Sequence, residues 1–199
     1  MPVNAEAAGQ QPAERKQRQL FMIRPAAPLE PPPPVSPGFT VRPATPGDRD
    51  SYAQLFRVVF PEAQLPFDSL CEHSMTGGFL VVANEAGQVI ASAAAAIFPK
   101  DDHPGGASLQ WVMADTAHRG LGLGRAAVHA ATLMLADSGQ PYAYLSTDDW
   151  RVAAISIYLS LGWQPLLYEA DMPGRWSHVI GRMERSFIEA DWPTAPPQP

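Results

Sequence analysis

His118-Arg119-Gly120-Leu121-Gly122-Leu123-Gly124-Arg125 is the stretch around which this 199-residue chain is organised. Its three glycines stand at alternate positions, between an apolar run (Ala107 to Ala114) and a helical pattern over 122–136. Leu123, Ala127, Ala130 and Met134 share one face of that helix. Glycine lacks a Cβ, so the backbone there can approach a ligand closely and present successive N–H groups. Those donors and the positive end of the helix dipole suit an anion such as a phosphate. Arg119 and Arg125 add positive charge to a chain whose formal net charge is −6.

Working outward, Tyr142 to Thr147 is expected as a strand and Val152 to Leu161 as a helix, closed by Gly162. Trp163 to Tyr168 and His178 to Met183 follow as strands. Toward the N-terminus, Phe79 to Ala83 and Val89 to Phe98 are strands joined by a turn at Asn84 to Gln88. Pro66 to Ser74 is a short helix. Thr45-Pro46-Gly47-Asp48 opens another helix, whose apolar face is Tyr52, Leu55, Phe56 and Val59. Phe39 to Arg42 is the first strand. The order β-α-α-β-β-β-α-β-α-β-β makes an α+β fold, an antiparallel part followed by parallel crossings.

Proline marks the expected boundaries. Of 22 prolines, nine lie in residues 1–38 and four in 189–199. Pro31-Pro32-Pro33-Pro34 reads as an extended, solvated segment. The folded domain is therefore expected over 39–188, with 1–38 a Pro-rich disordered tail and 189–199 a second one. On this reading residues 1–38 can be removed without loss of stability or ligand binding.

Apolar residues make up 46% of the chain and charged ones 17%, enough for a core. An acidic chain lacks the basic footprint of a nucleic-acid binder. The longest apolar run, Val89 to Phe98, is far short of the roughly 18 residues of a membrane span. Neither nucleic acid nor membrane is an expected partner. The single cysteine, Cys71, excludes an internal disulfide and a cysteine zinc cluster, and a reducing cytoplasm is the default location. Asp101-Asp102-His103 has no partner at metal-ligand spacing, so no metal is expected.

Several readings fit the glycine loop. Gly122-Leu123-Gly124-Arg125-Ala126-Ala127 formally matches a dinucleotide fingerprint, but Asp115 to Arg119 separate it from its strand. A Walker loop fails for want of Gly-Lys-Ser/Thr. A glycine turn that merely packs is a further reading. Finally, Arg119-x-x-Gly122-x-Gly124 resembles the Arg/Gln-x-x-Gly-x-Gly/Ala pyrophosphate loop of the GNAT superfamily of N-acetyltransferases. Leu145-x-Thr147, followed by Ala154-x-x-Ile157-Tyr158-x-x-x-Gly162-Trp163, is similar to a second block of that family. Arg151 stands where the block usually has Asn, and Thr147 where it has Val.

The resemblance covers about residues 39–184. It implies a central mixed, mostly antiparallel sheet, with a splayed parallel pair and helices on both faces. It implies an N-acetyltransferase that moves an acetyl group from acetyl-CoA to a primary amine, on a small molecule or a peptide, by direct transfer in a ternary complex. The strand before the loop would carry a bulge, with the pantetheine arm along the backbone of Val112, Met113 and Ala114. The pyrophosphate would meet Arg119, Gly120, Leu121, Gly122, Leu123, Gly124 and Arg125. Tyr158 would be the acid that protonates the departing thiolate. The general base is not implied; His103, Asp101, Asp102, Asp148 and Asp149 are candidates. A CoA-binding module without catalysis is the alternative.

Overall fold

A computed structural model describes residues 18–100 and 102–197. The elements run β1 (Leu20–Pro25), β2 (Phe39–Pro43), α1 (Arg49–Val59), α2 (Phe67–His73), β3 (Ser74–Asn84), β4 (Val89–Ile97) and β5 (Ala107–Ala114). Then come α3 (Leu123–Ala136), β6 (Tyr142–Thr147), α4 (Val152–Ser160), β7 (Gln164–Pro165) and α5 (Met172–Gly181). The strands form one sheet in the order β2-β3-β4-β5-β6-β1-β7. Neighbours are antiparallel except β5 and β6. This is the mixed, mostly antiparallel α+β sheet the sequence led us to expect.

Helices cover both faces. Tyr52, Leu55 and Phe56 of α1 and Phe67 and Leu70 of α2 bury against Phe79, Val81, Ala94 and Met113. On the other face, Leu123, Ala127, Val128, Ala131 and Leu135 of α3 pack over Ala91, Ala93 and Ala95. Alternate residues of a strand point to opposite faces. The alanine run of β4 is therefore a strand whose small side chains let α3 lie close to the sheet. Among the described residues no helix is long and apolar enough to cross a membrane.

Three expectations are corrected. The first concerns the boundary at residue 39: the fold begins earlier, because Leu20 to Pro25 form β1, inserted between β6 and β7. Leu20, Met22 and Ile23 are buried completely or nearly so. The chain from Ala26 to Gly38 then crosses α3 as a strap. Arg24 pins its start, donating from Nε to Leu161 O (2.9 Å) and from Nη1 to Ala27 O (3.0 Å). His129 Nε2 donates to Glu30 O (2.8 Å), and Leu29 and Val35 pack on the core. Proline content disguised a strand and its strap as a tail. Residues 1–17 of that expected tail lie outside the described residues.

The second correction is at the C-terminal end. In place of the expected strand His178 to Met183, residues 178–181 end α5 and a turn follows, because Met172, Trp176, Val179 and Ile180 recur at helical spacing and all bury. Trp163 to Tyr168 shortens to the two-residue β7. The third concerns 189–199. Glu189–Asp191 form a 3-10 turn, Leu167 N donates to Pro193 O (2.8 Å), and Trp192 packs on the core.

One partly buried ion pair fixes the entry to α1. Asp48 accepts from Arg42 Nη2 at Oδ1 (2.7 Å) and from Arg42 Nη1, Thr45 N and Thr45 Oγ1 at Oδ2 (2.8, 2.7 and 2.8 Å). The Arg42 guanidinium, helped by Thr45, holds the Asp48 carboxyl down at about 2. A carboxyl lowered in the fold stabilises above its unfolded value and loses that contribution as pH falls through the folded one. Asp48→Asn is therefore expected to cost about 2 kcal/mol at pH 7 and to flatten the loss of stability between about pH 4 and pH 2. Urea melts of both proteins across that window are the check; parallel pH profiles would refute the assignment.

Candidate active site

The site begins with a defect in the sheet. On the β4 side of β5, Ser92 pairs with Met113 and Ala94 with Gln110, so Trp111 and Val112 together oppose Ala93. This is the bulge the resemblance implied. Trp111 takes a φ of +46°, a left-handed conformation that costs an L-residue roughly 1–2 kcal/mol. Its ring is held by Phe56 and Phe60, each with its centroid 5.3 Å away. On the other side of β5, the parallel ladder with β6 consists of one pairing, Ser108 with Tyr144. Beyond it the two strands part.

A cavity of about 280 Å³ opens in that gap. Leu109, Gln110, Trp111 and Val112 form one wall and Leu145 to Asp148 the other, with Gln19, Phe60, Arg151 and Tyr158 completing it. A second cavity, about 470 Å³, lies beside α2 and shares Gln110, Trp111 and Ser146 with the first. A ligand entering from each side can therefore meet at the bulge. This gap, bounded by unpaired strand backbone, has the form of a slot for an extended chain.

Tyr158 sits on α4, buried, and faces this cavity. Burial pushes its phenol well above the usual value, while the charge of Arg151 pulls the other way. The phenol is a proton donor throughout the neutral range. Thr147, on β6, is buried with its Oγ1 unpaired.

The glycine loop follows β5 through a 3-10 turn, Thr116–His118, in which Asp115 accepts from Ala117 N (2.9 Å) and pairs with His118 Nδ1 (2.9 Å). Gly120 and Gly122 have φ of +83° and +71°, and Gly122 is the N-cap of α3. A Cβ at Gly122 would meet nothing within 4 Å, whereas one at Gly124 would press Ala114 Cβ at 3.2 Å. The glycines thus serve two needs, a left-handed turn and a close helix–strand contact. The N–H groups of Leu123, Gly124 and Arg125 open the helix, before the first helical bond, from Ala126 N to Gly122 O. Arg119 is exposed, as is Arg125, which donates to Ser160 Oγ (3.0 Å). Val112 lines the cavity, Ala114 is half-buried beside Gly124, and Met113 is buried on the α1 face.

Of the candidate bases, Asp148 alone lines the cavity among the described residues. It accepts from Arg151 Nε (3.0 Å) and Gln19 Nε2 (3.2 Å). Asp149 is bound instead by Arg175, whose Nε lies 3.1 Å away. His103 is buried elsewhere, stacked on Tyr144 (4.2 Å), and burial lowers its pKa. Asp102 is exposed beside it, and Asp101 lies outside the described residues. No group of three His, Cys, Asp or Glu among the described residues is placed to hold a metal ion.

Sequence reasoning missed Gln19, Phe60 and Ser36. Ser36 Oγ donates to Leu121 O (2.8 Å), tying the strap to the glycine loop. Gln19 was assigned to a tail; the signal against that was the apolar run Leu20-Phe21-Met22-Ile23. Phe60 closes α1 and reaches the site only through the tertiary fold.

A family model described as the acetyltransferase (GNAT) family matches residues 49–163. No curated protein matches the sequence significantly. Among solved structures, the chain is similar to a GCN5-related N-acetyltransferase from Sphaerobacter thermophilus, at 16% identity and TM-score 0.57, over 76% of this chain and 49% of that one. It is similar also to an acetyltransferase of the GNAT family from Colwellia psychrerythraea, at 13% identity and TM-score 0.56, over 75% and 53%. At these identities the likeness is one of fold. The chain spans about half the length of these two proteins.

Proposed function

Since this chain belongs to the acetyltransferase (GNAT) family, we propose that it transfers the acetyl group of acetyl-CoA to a primary amine, directly, in a ternary complex. The observation that carries this is the open β5–β6 gap, with a left-handed glycine loop at one end and a buried phenol on its wall.

In this reading the pantetheine arm runs along Val112, Met113 and Ala114. The pyrophosphate rests on the N–H groups of Leu121 to Arg125, with Arg119 and Gly120 beside it. The neutral amine attacks the thioester carbonyl, forming the C–N bond. As the tetrahedral intermediate collapses, the C–S bond breaks, Tyr158 gives its proton to the thiolate, and the proton that the nitrogen sheds in becoming an amide restores the phenol through water. An amine is mostly protonated at pH 7, so a proton must leave first. Asp148 is the cavity carboxylate that takes it, through water.

Binding and turnover test separate parts of this reading. Acetyl-CoA is expected to raise the melting temperature, since a ligand of the native state stabilises it by mass action. Gly122→Glu is expected to abolish that shift by placing a negative charge at the pyrophosphate. Gly122→Asn controls for the backbone, because asparagine tolerates φ > 0 better than other residues. Equal shifts in folded wild type and Gly122→Glu would refute the loop assignment. Release of CoA thiol over an amine panel distinguishes an enzyme from a module that only binds.

A further inference from the structure

Resting on this acetyltransferase reading, we propose that the cavity accepts a substrate bearing a carboxylate, and that Arg151 is the group that binds it. The guanidinium of Arg151 is held in place on three sides. Its Cζ lies 4.8 Å from the centre of the Phe60 ring and 4.3 Å from that of Trp150. Its Nε donates to Asp148 Oδ2 (3.0 Å), and Asp148 is steadied in turn by Gln19 Nε2. That ion pair uses the Nε side. The Nη1–Nη2 edge makes no hydrogen bond with the described residues, and the side chain lines the same cavity as Tyr158. An immobilised fork with a free edge fits the two oxygens of a carboxylate and loses little entropy on binding one.

Two further features agree. Thr147 Oγ1 is buried, unpaired and on the wall of this cavity, a polar atom that a ligand can satisfy. The second cavity has Lys100 as its only charged residue among those described. Among the described residues, a polyamine or aminoglycoside would find one carboxylate lining the two cavities, Asp148, already engaged by Arg151 and Gln19. The carboxylate belongs either to the acceptor, as in an amino acid, or to the acyl group, as in a dicarboxylic acyl-CoA.

The test uses the full chain and two arms. In one, kcat/KM with acetyl-CoA is compared between amino acids and the amines that lack only the carboxylate. In the other, succinyl-CoA is compared with acetyl-CoA on a single amine. One arm is expected to favour the carboxylated member by roughly 10²-fold, the scale of a charged hydrogen-bonded contact, and so to reveal which substrate carries the group. Arg151→Gln is expected to collapse that ratio to within a few-fold. Arg151→Lys, which keeps charge without the fork, is expected to retain part of it. No preference in either arm, or a preference that survives in folded Arg151→Gln, overturns the proposal. Should Arg151→Gln fail to fold, an unchanged ratio in Arg151→Lys does so. If neither acyl-CoA is consumed with any amine, it is the acetyltransferase reading that fails. Calorimetric titration of the same amino acids and amines, and of succinyl-CoA against acetyl-CoA, then decides the anchor: selective binding of the carboxylated member of either pair that Arg151→Lys weakens upholds it, and equal binding in both pairs overturns it.

Discussion

Deletion of residues 1–25 is expected to leave no cooperative melting transition. The segment includes β1, which is hydrogen-bonded to β6 on one side and β7 on the other. Its loss opens the sheet between them and exposes the surfaces that Leu20, Met22 and Ile23 cover. At about 2 kcal/mol for each of the three side chains, that is about 6 kcal/mol from burial alone. A typical domain is stable by roughly 5–15 kcal/mol in total, so little or nothing remains. The deletion also frees Asp148 from Gln19 and removes Arg24, the anchor of the strap. Circular dichroism on heating, with full-length protein alongside, is the measurement. A deletion variant that melts cooperatively within a few degrees of the full chain would show that β1 is an accessory strand.

Tyr158→Phe is expected to lower turnover by roughly 10²-fold, the low end of general-acid effects, with little change in acetyl-CoA affinity. The ring still fills its place on α4 beside Trp163 (centroids 6.5 Å apart), so the fold should persist. On the proposed mechanism only the donated proton is lost, and water replaces it in part. The raised pKa of Tyr158 sets the sign of the pH dependence. An acid whose pKa lies above the ordinary phenol value stays protonated as pH rises, so no falling limb due to Tyr158 is expected between pH 7 and 9. Steady-state rates over that range, with acetyl-CoA titrations of the same variant, check both points. Unchanged turnover would remove Tyr158 from the chemistry. A parallel loss of affinity would make it a binding residue.

The glycine loop, the two helices that follow it and the antiparallel strands before it were legible because each is specified locally. Gly120 and Gly122 are needed where φ is positive, and the face of α3 repeats with the helical period. β4 was legible as a continuous apolar run that follows the turn at Asn84 to Gln88, and burial on both of its faces accounts for the lack of polar alternation. Tyr158 was singled out only by the resemblance of its block to a family pattern, and the fold sets it on the wall of the gap between β5 and β6.

What sequence could not supply was the identity of neighbours. Whether Leu20-Phe21-Met22-Ile23 is a strand depends on a vacant slot between β6 and β7, more than a hundred residues away in the chain. A run of four apolar residues hints at burial but carries no periodicity that would tell a strand from a helix or name its partners. The same holds for 172–181, where the burial of Trp176 and Val179 against the core settles helix over strand. The site shows the division most sharply. Arg151 reads as a charged residue in a loop, and only folding lays it between Phe60 and Trp150, ties its Nε to Asp148 and sets the side chain on the cavity wall. Backbone geometry and amphipathic faces follow from neighbours in sequence, whereas sheet order, the bulge at Trp111 and the charge in the cavity follow from contacts between distant segments.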